Sequence, residues 1–377
     1  MQNVPAEGKA APALLFSALT LAAVLPLSAL IAGREISRLY ALAWSLFAAG
    51  AAFGIDYTGR TSLFRRLFFS ASALSFLFHF KSQLLPGGPA PSCFSAAPYC
   101  HISMAAYFPG YLYQQYLALM SGSWRAWGPL TLGAAWLFVT LAIGRAWCSW
   151  ACFYGGIDDG LSALPRRPLL KLGGWALRLR DLPAALLVFL MLASLAYMLP
   201  VFCLWLCPFK LTSSFMDAPG PARVAQLSLM AAALAALVAG PLLTGKRVFC
   251  SYLCPFGAWQ AFWGRVNPFR VTVDKAACAG CGACAAACPS CAIKPGADGR
   301  PEPGPYCNLC AQCLRACPRG ALRYTLMGLD LPAAPGRFGR LLDARHIYVF
   351  ASLTLGAVFS SLWAPAALRD LKSLIFG

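Results

Sequence analysis

Long apolar runs dominate this chain, separated by short basic loops. A run of about twenty apolar residues predicts a helix able to cross a membrane. Seven such segments can be drawn, at 11–32, 39–55, 67–84, 124–144, 183–202, 224–244 and 346–364. The first follows Lys9 and is longer than the apolar core of a signal peptide, so it reads as an uncleaved helix. Residues 102–122 are apolar and aromatic but contain Pro109, Gly110, Gln114 and Gln115, and they read as a helix lying in the outer interface of the membrane. Between residues 272 and 325 the apolar pattern gives way to short, cysteine-rich polar segments.

Composition agrees with a polytopic membrane protein. Apolar residues make up 59% and charged residues 12%, against roughly 25% charge in soluble domains. The net charge of +18, from 31 Lys and Arg against 13 acids, sits beside the apolar segments. Arg60, Arg65 and Arg66 occupy one loop; Arg145, Arg166, Arg167, Lys171, Arg178 and Arg180 another; Lys246 and Arg247 open a third. These loops alternate with poorer ones at 81–123 and 203–223. The positive-inside rule makes the basic loops cytoplasmic, and residues 272–325 with them, in a bacterial inner membrane. Anionic lipid is the partner this charge implies. No basic stripe marks a soluble domain, which excludes nucleic acid.

The chain has 17 cysteines, and sixteen fall into groups with ligand spacing. Residues 278–289 read CAGCGACAAACP and residues 307–318 read CNLCAQCLRACP. Each is C-x2-C-x2-C-x3-C-P, in which three cysteines wrap one cluster and the fourth closes the other. Cys278, Cys281, Cys284 and Cys317 are thus expected to hold one [4Fe–4S] cluster, and Cys307, Cys310, Cys313 and Cys288 a second. Gly280 and Gly282 permit the first loop to turn. Cys291 is left over, as a packing residue or an alternative ligand. The fold class is accordingly mainly α: a polytopic helical membrane protein with an inserted bacterial two-[4Fe–4S] ferredoxin domain. A membrane domain with six spans occupies 1–271, the ferredoxin domain 272–325, and a linker with the final span 326–377.

The apolar part contains a repeat. RAWCSWACFYG at 145–155 aligns with RVFCSYLCPFG at 247–257, pairing Arg145 with Arg247, Cys148 with Cys250, Cys152 with Cys254 and Gly155 with Gly257. Cysteines four apart share one face of a helix, so Cys148, Cys152, Cys250 and Cys254 form a candidate inner membrane site. Arg145 and Arg247 would balance its charge. A partial third copy, FCLWLCPF at 202–209, falls at the outer face. Its Cys203 and Cys207, with Cys93 and Cys100, make an outer set, open to a cluster or to disulfides. Of the three histidines, His79 reads as outer and His346 as inner, so these two cannot share a haem, whereas His79 and His101 share a side and could pair. An interfacial histidine suits a structural role or a proton group at a quinone site.

The C-x3-C-P motifs followed by two ferredoxin motifs resemble the NapH/NosR family of membrane ferredoxin-type proteins. The likeness is greatest at GKRVFCSYLCPFGAWQ, residues 245–260, and through 278–318, and it covers about 140–325. Phe153 stands where that family has proline, and the outer cysteines are additional to its usual motifs. The resemblance implies a quinol dehydrogenase or electron-transfer subunit in a hetero-complex. It would link a cytoplasmic donor or quinone pool to a periplasmic reductase or cytochrome. Implied cofactors are two [4Fe–4S] clusters, with one or two more at the membrane cysteines, and quinone. No covalent-flavin motif is present. A redox assembly factor that reduces a metal centre is an alternative. A redox-driven ion pump is another, disfavoured by the scarcity of acids in the apolar segments. No nucleophile motif or phosphate loop suggests hydrolysis.

Overall fold

The computed structural model describes residues 6–32, 38–83, 101–122, 127–172, 179–209, 221–296, 298–329 and 339–376. It is mainly helical, at 71%. The first two helices, α1 (Ala6–Ala32) and α2 (Arg38–Thr58), pack against each other. Small residues on α2, among them Ala48, Ala49 and Ala52, are buried and allow close approach. The Ser17 hydroxyl donates to the Ala49 carbonyl across this contact. The helix Ala344–Ser360 returns from the far end of the sequence to pack on both. Trp44 Nε1 donates to the Ala357 carbonyl and to Ser360 Oγ.

Among the described residues three helices are long and apolar enough to cross a membrane: Ala10–Ala32, Arg38–Thr58 and Arg223–Thr244. Two bent pairs also qualify, Gly133–Trp150 with Phe153–Ser162 at 45° and Ala344–Ser360 with Ala364–Ile375 at 51°. That makes three spans, or five if each pair is one span, against the seven expected. Two expected spans fall short for visible reasons. The segment at 67–84 belongs to α3 (Thr61–Gln83), whose first turns carry Arg65 and Arg66. The segment at 183–202 becomes the helix Leu182–Tyr197, 16 residues long. At 1.5 Å per residue it is about 24 Å, less than the roughly 30 Å hydrocarbon core. Met198 ends it with a left-handed φ of 53°, and Pro200 follows.

The segment at 102–122 forms α4 (His101–Met120). A helix lying flat would bury one face along its length. This one instead buries its first turns almost completely, from His101 to Tyr107, and exposes Leu112, Tyr113, Tyr116 and Met120.

The cysteine-rich segment is bounded by β1 (Phe269–Val273) and β4 (Leu322–Leu326), paired antiparallel with Phe269 opposite Leu326. A second hairpin joins β2 (Ile293–Pro295) to β3 (Pro301–Pro303). Two short helices, Ala283–Ala287 and Gln312–Ala316, pack on each other between them. The segment is held to the apolar body by several polar contacts. The Arg247 amide donates to the Pro289 carbonyl at 2.8 Å, and Lys246 Nζ donates to the carbonyls of Ala286 and Cys288. Arg145 Nη1 donates to the Pro305 carbonyl at 3.4 Å. Tyr348 Oη donates to the Leu309 carbonyl at 3.0 Å and accepts from Trp150 Nε1. The Ser149 hydroxyl donates to the Asn308 carbonyl.

Candidate iron–sulfur sites

The first ligand set rings one cavity. Cys278, Cys281, Cys284 and Cys317 all line it, together with Gly282, Pro318 and Leu322. Pro301 and Arg319 complete the wall, and four thiols are the donor set a [4Fe–4S] cluster takes. Burial and the nearby Cys317 and Cys278 push the Cys284 thiol up. The second set is gathered in the same way, since Cys313 feels Cys310, Cys307 and Cys288. Burial, with Cys288 and Cys310 beside it, pushes the Cys307 thiol up to about 12. Among the described residues no three Cys, His, Asp or Glu side chains close on a single metal ion. A cube of iron and sulfide is wider than one ion and needs its thiolates further apart.

Local backbone explains these loops. Gly280 and Gly282 have φ of 67° and 72°, the left-handed region glycine adopts without penalty. The second loop reaches the same conformation with Leu309 at 55° and Ala311 at 66°. Those two residues are buried beneath the apolar body, so packing holds them there. Cys291 has a φ of 49° and contacts Tyr252, which makes it part of the seam between the two parts.

The expected exchange of ligands gives a direct test. Cys284→Ser should abolish one [4Fe–4S] electron paramagnetic resonance signal. It should perturb the other more weakly, through the shared helices carrying Cys288 and Cys317. Two unchanged signals would refute the ligand assignment.

The membrane cysteines differ from expectation in their local structure. Cys148 and Cys152 do not lie along one helix. Cys148 sits in a four-residue turn, Trp147–Trp150, and Cys152 is the extended N-cap of the helix Phe153–Ser162, with φ −72° and ψ 117°. Cys250 lies in the π-turn Phe249–Leu253, and Cys254 is the extended N-cap of Pro255–Trp263, with ψ 114°. Cys288 and Cys317 have ψ of 114° and 113°. A following proline disfavours the helical region and drives its predecessor into this conformation. Pro255, Pro289 and Pro318 do so for three of the four. Cys152 reaches it without proline, beneath the buried Phe153 ring stacked on Phe76 at 3.8 Å. Each pair therefore straddles a helix break.

The breaks let the two copies clasp each other. Arg247 Nη2 donates to the Cys148 carbonyl at 2.7 Å and to the Gly155 carbonyl at 3.3 Å, both in the first copy. It also lies 3.5 Å from Cys250 Sγ. In the mirrored position Arg145 Nη2 would stand 3.5 Å from a Cβ placed on Gly257. A Cβ on Gly155 would collide with the Cys148 carbonyl and come within 2.9 Å of Arg247 Nη2. The aligned glycines thus make room for the partner copy's arginine. The four thiols are brought together: Cys250 feels Cys254 and Cys152, and Cys254 feels Cys148. Both arginines act on Cys148. Around them Trp147 Nε1, Ser251 Oγ, and Arg247 Nε and Nη1 are buried with no hydrogen-bond partner. Four sulfurs, two buried cations and several unused donors suit an anionic iron–sulfur cluster.

Two features of this region depart from the sequence reading. His101, expected on the outer side, sits with Nε2 2.8 Å from Cys152 Sγ, among the rings of Trp147, Phe153 and Phe256. The third copy, also expected there, packs on the first: Tyr154 Oη is 3.3 Å from Cys207 Sγ, and Phe209 meets Phe153 and Tyr154. The preceding helix, Leu182–Tyr197, is too short to carry Cys203 and Cys207 away to a far face. Cys93 and Cys100 lie outside the described residues.

Acids are also present in the apolar helices. Asp159 pairs with Arg65 at 2.8 Å and Arg66 at 3.1 Å. Asp158 accepts from the Cys250 amide at 2.9 Å. Asp56 lies 2.8 Å from His346 Nε2, whose Nδ1 is 2.8 Å from Asp343. Acids at the ends of apolar segments carry no periodic signal, so sequence reading passed over them. Most of their partners come from distant parts of the chain and are cations or a backbone amide, as in structural ion pairs, which gives the pump reading no support.

A family model described as a 4Fe-4S binding domain matches the chain in three segments, residues 125–171, 182–218 and 227–272. Each segment contains one copy of the repeat: Cys148 and Cys152 in the first, Cys203 and Cys207 in the second, Cys250 and Cys254 in the third. No curated protein and no solved structure matches the chain. The helical body, the duplicated cysteine motif and these matches define an iron–sulfur protein of ferredoxin type. Several of its helices are apolar and long enough to cross a membrane.

Proposed function

We propose that this chain is a membrane-bound electron-transfer subunit. It passes electrons between a cytoplasmic donor or quinone pool and a redox partner at the outer face, as a quinol dehydrogenase of NapH/NosR type does. One observation carries the proposal: the loops of the second ligand set rest directly on the paired membrane copies. Arg247 holds Pro289, beside Cys288; Arg145 and Ser149 hold Pro305 and Asn308, on either side of Cys307. The first set lies further out, with Cys281 exposed. Three thiol sets in this order would bridge a surface and a membrane interior, and a hydrocarbon core of roughly 30 Å is too thick for one efficient electron step. Iron–sulfur clusters, when bound, supply one-electron chemistry. The chain's own groups do the rest. Cysteines fix the ligand positions, Arg145 and Arg247 offset thiolate charge, and Trp147, Phe153 and Phe256 exclude water. A cytoplasmic position for residues 272–325 would complete the arrangement.

The test combines composition and sidedness. Purified protein should contain more iron and acid-labile sulfide than two [4Fe–4S] clusters hold, and a reporter fused after Arg323 should read cytoplasmic. Iron for two clusters alone would remove the membrane relay. An external reporter would reverse the direction in which the subunit faces.

A further inference from the structure

A cavity of about 880 Å³ lies where the polypeptide leaves the apolar body for β1. Arg145, Cys307 and Leu309 lie on its walls, as do Phe269 and Val271. It therefore touches both a membrane-copy arginine and a cysteine of the second ligand set. Arg145, Arg265, Arg270, Lys275 and Arg300 line it, against only Asp298 and Glu302. Lys275 is engaged by Asp298 at 3.0 Å. Arg270 and Arg300 donate only to backbone carbonyls, of Arg265 and Lys275 respectively. Of the two acids only Glu302 then remains, against four arginines. The buried Asn267 shapes the same wall: its Oδ1 accepts from the Phe269 amide, and its Nδ2 lies against Gly144, closed off from the cavity. A cavity of this size is within the range of small-molecule sites.

We propose that this cavity binds a phosphate group, with Arg270 and Arg300 supplying charge, and Phe269 and Val271 an apolar floor for what the phosphate carries. Guanidinium groups suit phosphate oxygens because they offer paired donors in one plane. Two sources share this chemistry: the headgroup of an anionic phospholipid, since the cavity opens at the junction of the two parts, and a soluble phosphate compound.

Two probes separate them on the full-length chain in detergent. Inorganic pyrophosphate is titrated calorimetrically. In parallel, the protein is exchanged between phosphatidylcholine and phosphatidylglycerol micelles, and the retained lipid is counted. Saturable pyrophosphate binding, weakened at least about tenfold in Arg270→Ala/Arg300→Ala, supports the site with a soluble ligand. Preferential retention of phosphatidylglycerol, lost in the same variant, supports it with a lipid. Iron content equal to the unaltered protein shows that the fold is kept. Should the double variant lose iron, Arg300→Glu alone, at an exposed position, replaces it. This change sets a carboxylate against the phosphate, so binding should again fall. No saturable binding of either probe, or binding that these substitutions leave unchanged, overturns the proposal.

Discussion

Arg247→Leu is expected to destabilise the protein by about 3–5 kcal/mol, the cost typical of removing one partner from a buried charge cluster. It should also strip iron from the membrane cysteines. Arg247 is fully buried. Its Nη2 crosses to two carbonyls of the first copy and reaches Cys250 Sγ, and Asp158 and Asp159 both act on it. Asp159 keeps Arg65 and Arg66 when Arg247 is lost. Asp158 retains the Cys250 amide but loses its nearby cation. Adding Asp158→Asn should therefore recover part of the stability, a coupling that a double-mutant cycle measures. Arg247→Lys should restore charge without the reach to both carbonyls, giving an intermediate loss. Thermal unfolding in detergent, followed with iron content, reads both effects. An Arg247→Leu protein with unchanged midpoint and iron would show that the clasp contributes nothing.

The second large effect concerns the four membrane thiols. With the eight ferredoxin cysteines replaced by serine, the chain should still carry stoichiometric iron, and Cys148→Ser in that background should remove it completely. The four sulfurs come from both copies, two from each, so losing one opens the cage from one side. Cys254→Ser should do the same, because Cys254 and Cys148 face each other across the copies. A folded, iron-free protein whose Cys148, Cys152, Cys250 and Cys254 react readily with an alkylating reagent would refute a cluster there.

Much of the chemistry was legible along the chain. The spacing of Cys278–Cys288 and Cys307–Cys317 is dictated by how a loop wraps a cluster, and in the structure Cys278, Cys281, Cys284 and Cys317 line one cavity. The repeat was legible too, from the aligned Arg, Cys and Gly of the two copies. Helix interruption was not, because apolar content carries no record of where a helix breaks. Segments at 67–84 and 183–202 read as spans. Yet the first carries Arg65 to a buried acid, and the second ends at Met198 after 16 residues.

Sequence alone determined which residues can be ligands: sulfur spacing is a local property, set by a few backbone torsions and by prolines such as Pro255, Pro289 and Pro318. It also determined that the chain is largely helical and apolar. Only the tertiary structure decided which sulfurs meet. Arg145 and Arg247 lie far apart in sequence, and nothing local requires each to approach the other copy's glycine. Cys152 lacks a following proline and takes its extended conformation under Phe153 and Phe76. His101 and Cys207 come to the first copy because the chain bends at the cysteine turns and the helix before Cys203 is short. Such placements depend on contacts between distant segments, and those contacts exist only once the helices have broken and packed.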